Sequence, residues 1–248
     1  MSRLHLVSTP IGNLADTTYR AVEVLGSVAR ILAEDTRRTR ILLNHFDVGT
    51  PLVSLHEHNE AARVADVLGW LGEGEELALV SDAGTPLLSD PGETLVAAVL
   101  EAGFRIVPVP GASAALAALV ASGFATSPFT FYGFPPRSGK AREARLGDVA
   151  ALPHVAVLYE SPNRLARLLV DMAALAGEER RVAVARELTK LHEEVWRGTL
   201  GQAMAYYGEE AVRGEVVVVL EGGAALPAAG DAAAADAARD VARRMLSE

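Results

Sequence analysis

The chain has no cysteine among its 248 residues. That excludes a disulfide framework, a thiolate metal site and a cysteine nucleophile, and it fits a reducing compartment. Aromatic residues are scarce, at 5% against 50% hydrophobic overall, so a core must be built mainly from Ala, Val and Leu. No apolar run approaches the ~20 residues of a membrane span. The longest, Ala112 to Ala121, is short and rich in small residues, as suits a packed helix. Met1-Ser2-Arg3-Leu4 runs straight into a strand-like segment, with no basic region ahead of an apolar one. A signal peptide and a membrane partner are therefore not expected, and a cytoplasmic location is. Positive charge is in deficit: the formal net charge is −9, which disfavours nonspecific coating of nucleic acid but leaves room for a local basic patch. Familiar motifs are missing too. Gly72-x-Gly74 lacks the third glycine of a dinucleotide fingerprint, and there is neither a Walker A sequence nor a Gly-x-Ser-x-Gly elbow.

What is present is an alternation of short β-rich runs with helical stretches. Strands are expected over Leu4–Ser8, Arg30–Ala33, Leu77–Ser81 and Arg105–Val109. Helices are expected over Thr17–Ala29 with Asp16 as N-cap, then Thr36–His45, Glu57–Leu71, Glu93–Ala102 and Ala112–Ala121. Such alternation implies βαβ units and a mostly parallel sheet. Composition shifts between Ser122 and Pro136, where Gly, Pro, Ser, Thr and aromatics including Phe124, Phe129, Phe131 and Tyr132 crowd together. The expected organisation is an α/β domain over 1–122, a linker over 123–128 and a second α/β domain over 129–223. The second domain has strands at Val155–Tyr159, Arg181–Glu187, Glu194–Arg197 and Val216–Leu220, helices at Arg164–Leu175 and Leu200–Tyr207, and room for a mixed sheet. An Ala-rich tail helix is expected within 224–248.

Three strand ends carry turns of Gly, Pro and small hydroxyl residues. They are Ser8-Thr-Pro-Ile-Gly-Asn13, Ser81-Asp-Ala-Gly-Thr-Pro86 with Ser89-Asp-Pro-Gly92, and Val109-Pro-Gly-Ala-Ser-Ala114. Open α/β sheets bind ligands just outside the carboxyl ends of their strands, and such turns let backbone groups approach a ligand closely. Any one of them is an ordinary tight turn; three at successive strand ends point to a site.

With Ala33-Glu-Asp-Thr-Arg37, Leu158-Tyr-Glu-Ser-Pro162 and Arg186-Glu-Leu-Thr-Lys190 with Glu193-Glu194, these segments run in one order from about Leu4 to Gly222. In that order the sequence resembles the tetrapyrrole-methylase superfamily, and within it the ribosomal RNA small subunit methyltransferase I family. The resemblance implies two α/β domains of the class III S-adenosylmethionine (SAM) methyltransferase type, with the cofactor in the cleft between them. It implies 2′-O-methylation of a cytidine ribose in the decoding centre of 16S rRNA, on the small ribosomal subunit, by a homodimer. The cofactor residues implied are Pro10, Asp82, Ala83, Gly84, Leu88, Ser113 and Ala114 from the first domain. From the second they are Tyr159, Leu188 and Gly214. Relatives acting on tetrapyrroles usually carry Gly-Asp-Pro where this chain has Asp82-Ala-Gly-Thr-Pro86, which favours the RNA-modifying branch. Asn163 stands where the family often has His, so no general base is expected there.

A ribose hydroxyl is a poor nucleophile, and a nearby cation or base helps. Glu34, Asp35, Glu187, Lys190 and Glu193 are the cleft-facing candidates; Lys190 would lower the hydroxyl pKa and Glu187 would accept its proton, unless the two are merely a surface ion pair. For RNA phosphates the candidates are Arg37, Arg38 and Arg40, and after the aromatic stretch Arg137, Lys140, Arg142 and Arg145. Phe131 or Tyr132 would stack a base. His56-x-His58 lacks a third ligand, so no metal site is expected. The competing readings are a tetrapyrrole or protein acceptor on the same fold, and a noncatalytic SAM-binding factor in ribosome assembly.

Overall fold

The computed structural model describes residues 2–208 and 212–223; the expected tail helix lies outside them. The first sheet contains β1 (Arg3–Val7), β2 (Arg30–Ala33), β3 (Leu52–Ser54), β4 (Leu77–Val80) and β5 (Arg105–Val109), all parallel, in the order β3-β2-β4-β1-β5. Four of these strands match expectation; β3 is too short to be legible. Its centre, β4, is the run Leu-Ala-Leu-Val, buried throughout. Such unbroken apolarity belongs to a strand covered on both faces. Its alternate residues go to opposite layers: Ala78 and Val80 join α1 (Tyr19–Ser27) and α2 (Thr36–His45), while Leu77 and Leu79 join α3 (Glu60–Gly72) and α4 (Glu93–Glu101). The N-cap of α1 is Thr18, whose hydroxyl accepts from the Ala21 amide at 3.1 Å, and not Asp16. Asp16 instead ends a short 3-10 turn, Leu14–Asp16, capped by Asn13.

The second sheet runs β6-β7-β10-β8-β9, with β6 (Phe129–Gly133) parallel to β7 (Val155–Glu160). β8 (Arg181–Arg186), β9 (Glu194–Thr199) and β10 (Val216–Leu220) complete it with antiparallel pairings, so the sheet is mixed. α6 (Gly139–Ala151), α7 (Leu165–Ala176) and α8 (Leu200–Tyr207) cover one face. β6 and α6 were not legible in the sequence: Gly and Pro flank the strand, and the basic residues of α6 hide its apolar positions Leu146 and Val149.

The other face of the second sheet is covered by α5 (Ala114–Ser122). Ala115, Ala118 and Leu119 pack with Val155, Val157, Ala183, Ala185, Val217 and Val219, and Phe124 joins them. By packing, therefore, the chain changes sheets between β5 and α5, ahead of the expected linker at 123–128. A helix of almost only Ala, Leu and Val shows no polar face in sequence to say which sheet it serves. Its Ser113 N-cap leaves β5 at Pro110-Gly111-Ala112, so this junction carries a strand-end turn and an interdomain crossing together.

Candidate active site

The three Gly/Pro turns converge and are laced to one another. Thr9 and Gly84 exchange two backbone hydrogen bonds (2.8 and 3.0 Å). The Ser8 hydroxyl donates to Thr85 Oγ1 (3.2 Å), which donates to the Ala112 carbonyl (3.3 Å). Gly84 takes φ +87°, which an L side chain rarely adopts, and a Cβ on Gly111 would lie 2.9 Å from that of Ser8. These glycines let the ends of β1, β4 and β5 meet.

Against them opens a cavity of about 490 Å³ facing the second sheet. Asp82, Ala83, Leu88, Ser113 and Ala114 line it from one side, and Tyr159 and Gly214 from the other. Seven of the ten expected cofactor residues are thus brought together. The other three play different parts. Gly84 forms the bridge to Thr9, and Leu188 is partly buried against the cluster that α5 forms with the second sheet. Pro10 lines an adjoining cavity of about 410 Å³, with Gly12, Ile41, Lys190 and Glu215 among its other walls. Ile11, Arg38, Asp82, Ala83 and Glu215 border both cavities and so form the partition between them.

Charge is distributed unevenly. Glu34 and Asp90 line the larger cavity, and burial pushes both carboxyls up, Asp90 to about 6; like charge deepens the effect, Asp82 acting on Glu34 and Glu34 on Asp90. Asp82 accepts the Asp35 amide at 2.9 Å and lies 3.7 Å from Arg38. Asp35 is held at about 2 by the hydrogen bonds of Arg37. Lys190 Nζ donates to Glu187 Oε1 (2.8 Å) and Glu215 Oε2 (3.1 Å), and Glu187 Oε1 also accepts the Glu215 amide (2.9 Å). Burial works against the charge on Lys190, but the two carboxylates outweigh it and hold the ammonium above its usual range. Glu187 is correspondingly held below the usual carboxylate range, chiefly by Lys190. Two close approaches require glycine here. A Cβ on Gly12 would lie 2.4 Å from Lys190 Cγ, and one on Gly214 (φ +90°) 2.3 Å from the Glu187 carboxyl. Glu193 accepts the Thr189 amide and so braces the same loop.

Several expectations for RNA contacts are corrected. Arg142 is only 2% exposed; it donates to Asp171 (2.9 Å) and the Pro136 carbonyl (3.1 Å) and lies 3.6 Å from Glu160, so no phosphate reaches it. α6 turns this residue inward with Leu146 and Val149. Arg145 lies over the Tyr132 ring at 5.3 Å, and Phe131 makes an edge contact with Tyr159 at 5.0 Å, so each expected stacking ring is already engaged by a neighbour. Besides Tyr159, the larger cavity is bordered by Phe134, 53% exposed and 5.4 Å from the Tyr159 ring. Arg40, Arg137 and Lys140 are exposed; Arg37 is exposed but holds Asp35, and Arg38 faces both cavities. Sequence reasoning missed Phe134 and Asp90 as site residues. Asp90 lies in the Ser89-Asp-Pro-Gly92 turn, but nothing in its neighbours revealed that the chain would half-bury it against a cavity. His56 and His58 have their rings 6.0 Å apart, and among the described residues no three His, Cys, Asp or Glu side chains are grouped to hold a metal. Among the described residues, no helix is long and apolar enough to cross a membrane.

Residues 3–204 match the family described as Tetrapyrrole (Corrin/Porphyrin) Methylases. The chain is 50% identical over 222 residues to the Ribosomal RNA small subunit methyltransferase I of Synechocystis sp., covering 90% of this chain and 80% of that protein. It is 46% identical over 222 residues to the protein of that name from Bacillus subtilis, covering 90% and 76%. Among solved structures, a uroporphyrin-III-C-methyltransferase from Thermus thermophilus aligns with TM-score 0.62 and 20% identity, over 93% of this chain and 98% of that one. A cobalt precorrin-4 methyltransferase aligns with TM-score 0.66 and 19% identity, over 88% and 94%. At those identities the structures share the fold.

Proposed function

Because the chain belongs to the tetrapyrrole methylase family and, within it, to the ribosomal RNA small subunit methyltransferase I group, we propose that it is a SAM-dependent methyltransferase that 2′-O-methylates a cytidine ribose in the decoding centre of 16S rRNA. The small ribosomal subunit is the substrate, the location is cytoplasmic and the working form is a homodimer. The observation that carries this reading is the pair of cavities sharing one wall at Asp82-Ala83, one sized for a nucleoside cofactor and the other bearing a cation.

The larger cavity suits SAM chemically. Its acidic lining (Glu34, Asp82) is matched to a sulfonium and an ammonium group, and Phe134 and Tyr159 offer aromatic surface to a purine. When bound, the cofactor supplies an electrophilic methyl group. Everything else falls to the protein. The laced turns hold Asp82, Ala83, Ser113 and Ala114 in place before any ligand arrives, so little ordering remains to be done on binding. In the smaller cavity the Lys190 ammonium stabilises negative charge growing on the acceptor oxygen. Glu187 acts as a positioning residue for Lys190: with two donors already on one oxygen and a depressed pKa, it is a weak proton acceptor. Arg38, at the partition, is placed to meet a phosphate or a ribose oxygen; Arg40, Arg137 and Lys140 are available to the RNA backbone.

The test is to incubate the protein with methyl-labelled SAM and small subunits from cells lacking the modification, then map the label by nuclease digestion and mass spectrometry. Label on one cytidine ribose is the expected result. SAM binding without label on rRNA overturns the acceptor assignment.

A further inference from the structure

Removing the proton from a ribose hydroxyl needs an acceptor, and the acids around the two cavities differ in how far they are already engaged. Glu187 and Glu215 both hold Lys190. Asp82 takes the Asp35 amide and faces Arg38, and Glu34 accepts the Asp82 amide and faces the same arginine. Glu160 has Arg164 at 2.6 Å and Arg142 at 3.6 Å. Asp90 differs: among the described residues no cationic side chain pairs with it, and the nearby Ser81 hydroxyl, which donates to the Gly84 carbonyl (3.4 Å), is the polar group that favours its charged form. Asp90 lines the larger cavity and Ser81 the smaller one, so the two approach each other across the partition where methyl donor and acceptor must meet.

The loop that carries Asp90 is held in a costly shape. Leu87 (φ 75°) and Ser89 (φ 74°) both lie in the left-handed region, which non-glycine residues occupy only when their surroundings enforce it. The enforcement comes from both sides. A Cβ on Gly92 would lie 2.7 Å from Leu87, and one on Gly133 of β6 2.6 Å from Ser89 Oγ. The second domain thus clasps the loop and fixes Asp90 at the cavity wall.

We propose that Asp90 is the general base of the methyl transfer, taking the proton of the acceptor hydroxyl at a carboxylate oxygen. The inference rests on the methyltransferase reading above. As the acceptor O–H bond breaks and the new O–CH₃ bond forms, the electron pair of the S–CH₃ bond stays on sulfur and the proton passes to Asp90. Burial, then the charge of Glu34, pushes the Asp90 carboxyl up to about 6, high enough to hold a proton yet ionised at neutral pH. The groups facing it are Ser81 and Asp82 after β4, Glu34 after β2, and Tyr159 at the end of β7; Arg38, Glu160 and Glu215 share its cavity.

Three variants of the full chain, Asp90→Asn, Ser81→Ala and Glu34→Gln, test this against wild type in pH profiles of turnover at saturating SAM. SAM affinity is measured calorimetrically, and the Asp90 carboxyl is titrated by carbon NMR in the ligand-free protein. Wild-type turnover is expected to rise through an acid limb near the NMR midpoint. Asp90→Asn should lower turnover about 100-fold or more and abolish the limb, with SAM affinity within about threefold of wild type. Ser81→Ala removes a donor to the charged form, so limb and midpoint should move together to higher pH. Glu34→Gln removes a like charge and should move both lower. If Asp90→Asn keeps turnover within threefold, retains the limb or chiefly loses SAM affinity, Asp90 is not the base. Label-free wild type with no SAM binding sinks the methyltransferase reading and this inference with it.

Discussion

At the residue scale, one charged group can be read two ways until its surroundings are known. Arg142 stood in a basic run that invites a phosphate, yet it is buried against Asp171 and Glu160. Arg142→Ala leaves Glu160 buried with Arg164 as its remaining cation. Denaturation in urea should show a loss of about 3 kcal/mol, because stranding a buried charge costs more than the pair contributes. The salt dependence of RNA binding by the folded variant should not change. Asp90 makes the opposite point, since its burial disfavours the charged form. Its contribution to stability is complete below the unfolded value of about 4, fades as pH rises through about 6, and is gone by pH 8. Asp90→Asn should therefore be the more stable protein at pH 8, by about 1–2 kcal/mol after solvent screening, with a clearly smaller gain at pH 4.5. An equal gain at both pH values would count against a buried carboxylate. Stability given up at a working residue is a common pattern in active sites.

At the element scale, the strand and helix runs were legible but their caps were not: the expected cap Asp16 gives way to Thr18. Thr36–His45 and Arg105–Val109 coincide with their elements. The Ser113 cap and the left-handed Gly123 mark the two ends of α5. α8 opens with a full capping box, Thr199 and Gln202 each bonding the other's backbone. Thr199 touches neither cavity, so Thr199→Ala should cost about 1 kcal/mol in denaturant unfolding while kcat and KM stay at wild-type values. A drop in kcat would mean that α8 communicates with the site. What could not be read was β6 and α6. Periodicity there is masked by Gly133, Pro135 and Pro136 and by cations whose stems run inward as well as outward.

At the scale of the whole molecule, an acidic chain must meet an anionic partner through a small part of its surface. Arg137 and Lys140 are exposed on the loop and first turn leading from Phe134 into α6. Neutralising both (Arg137→Ala with Lys140→Ala) should weaken binding to the subunit and lower the slope of log affinity against log salt by about 1–2. Methyl transfer at saturating substrate should survive. An unchanged slope would place the RNA on another face.

The sequence by itself determined the two sheets, the strand-end turns and the family, because hydrophobic period and turn chemistry are local and the motifs are stretches of consecutive residues. Tertiary structure alone decided which of those residues act together. It assigned α5 to the second sheet, drew Lys190 against Gly12 across the domain junction, buried Arg142 and left Asp90 without a cation among the described residues. Each of these depends on neighbours far away in the chain, and burial and pairing with such neighbours set whether a charge holds the fold together, binds a ligand or takes a proton.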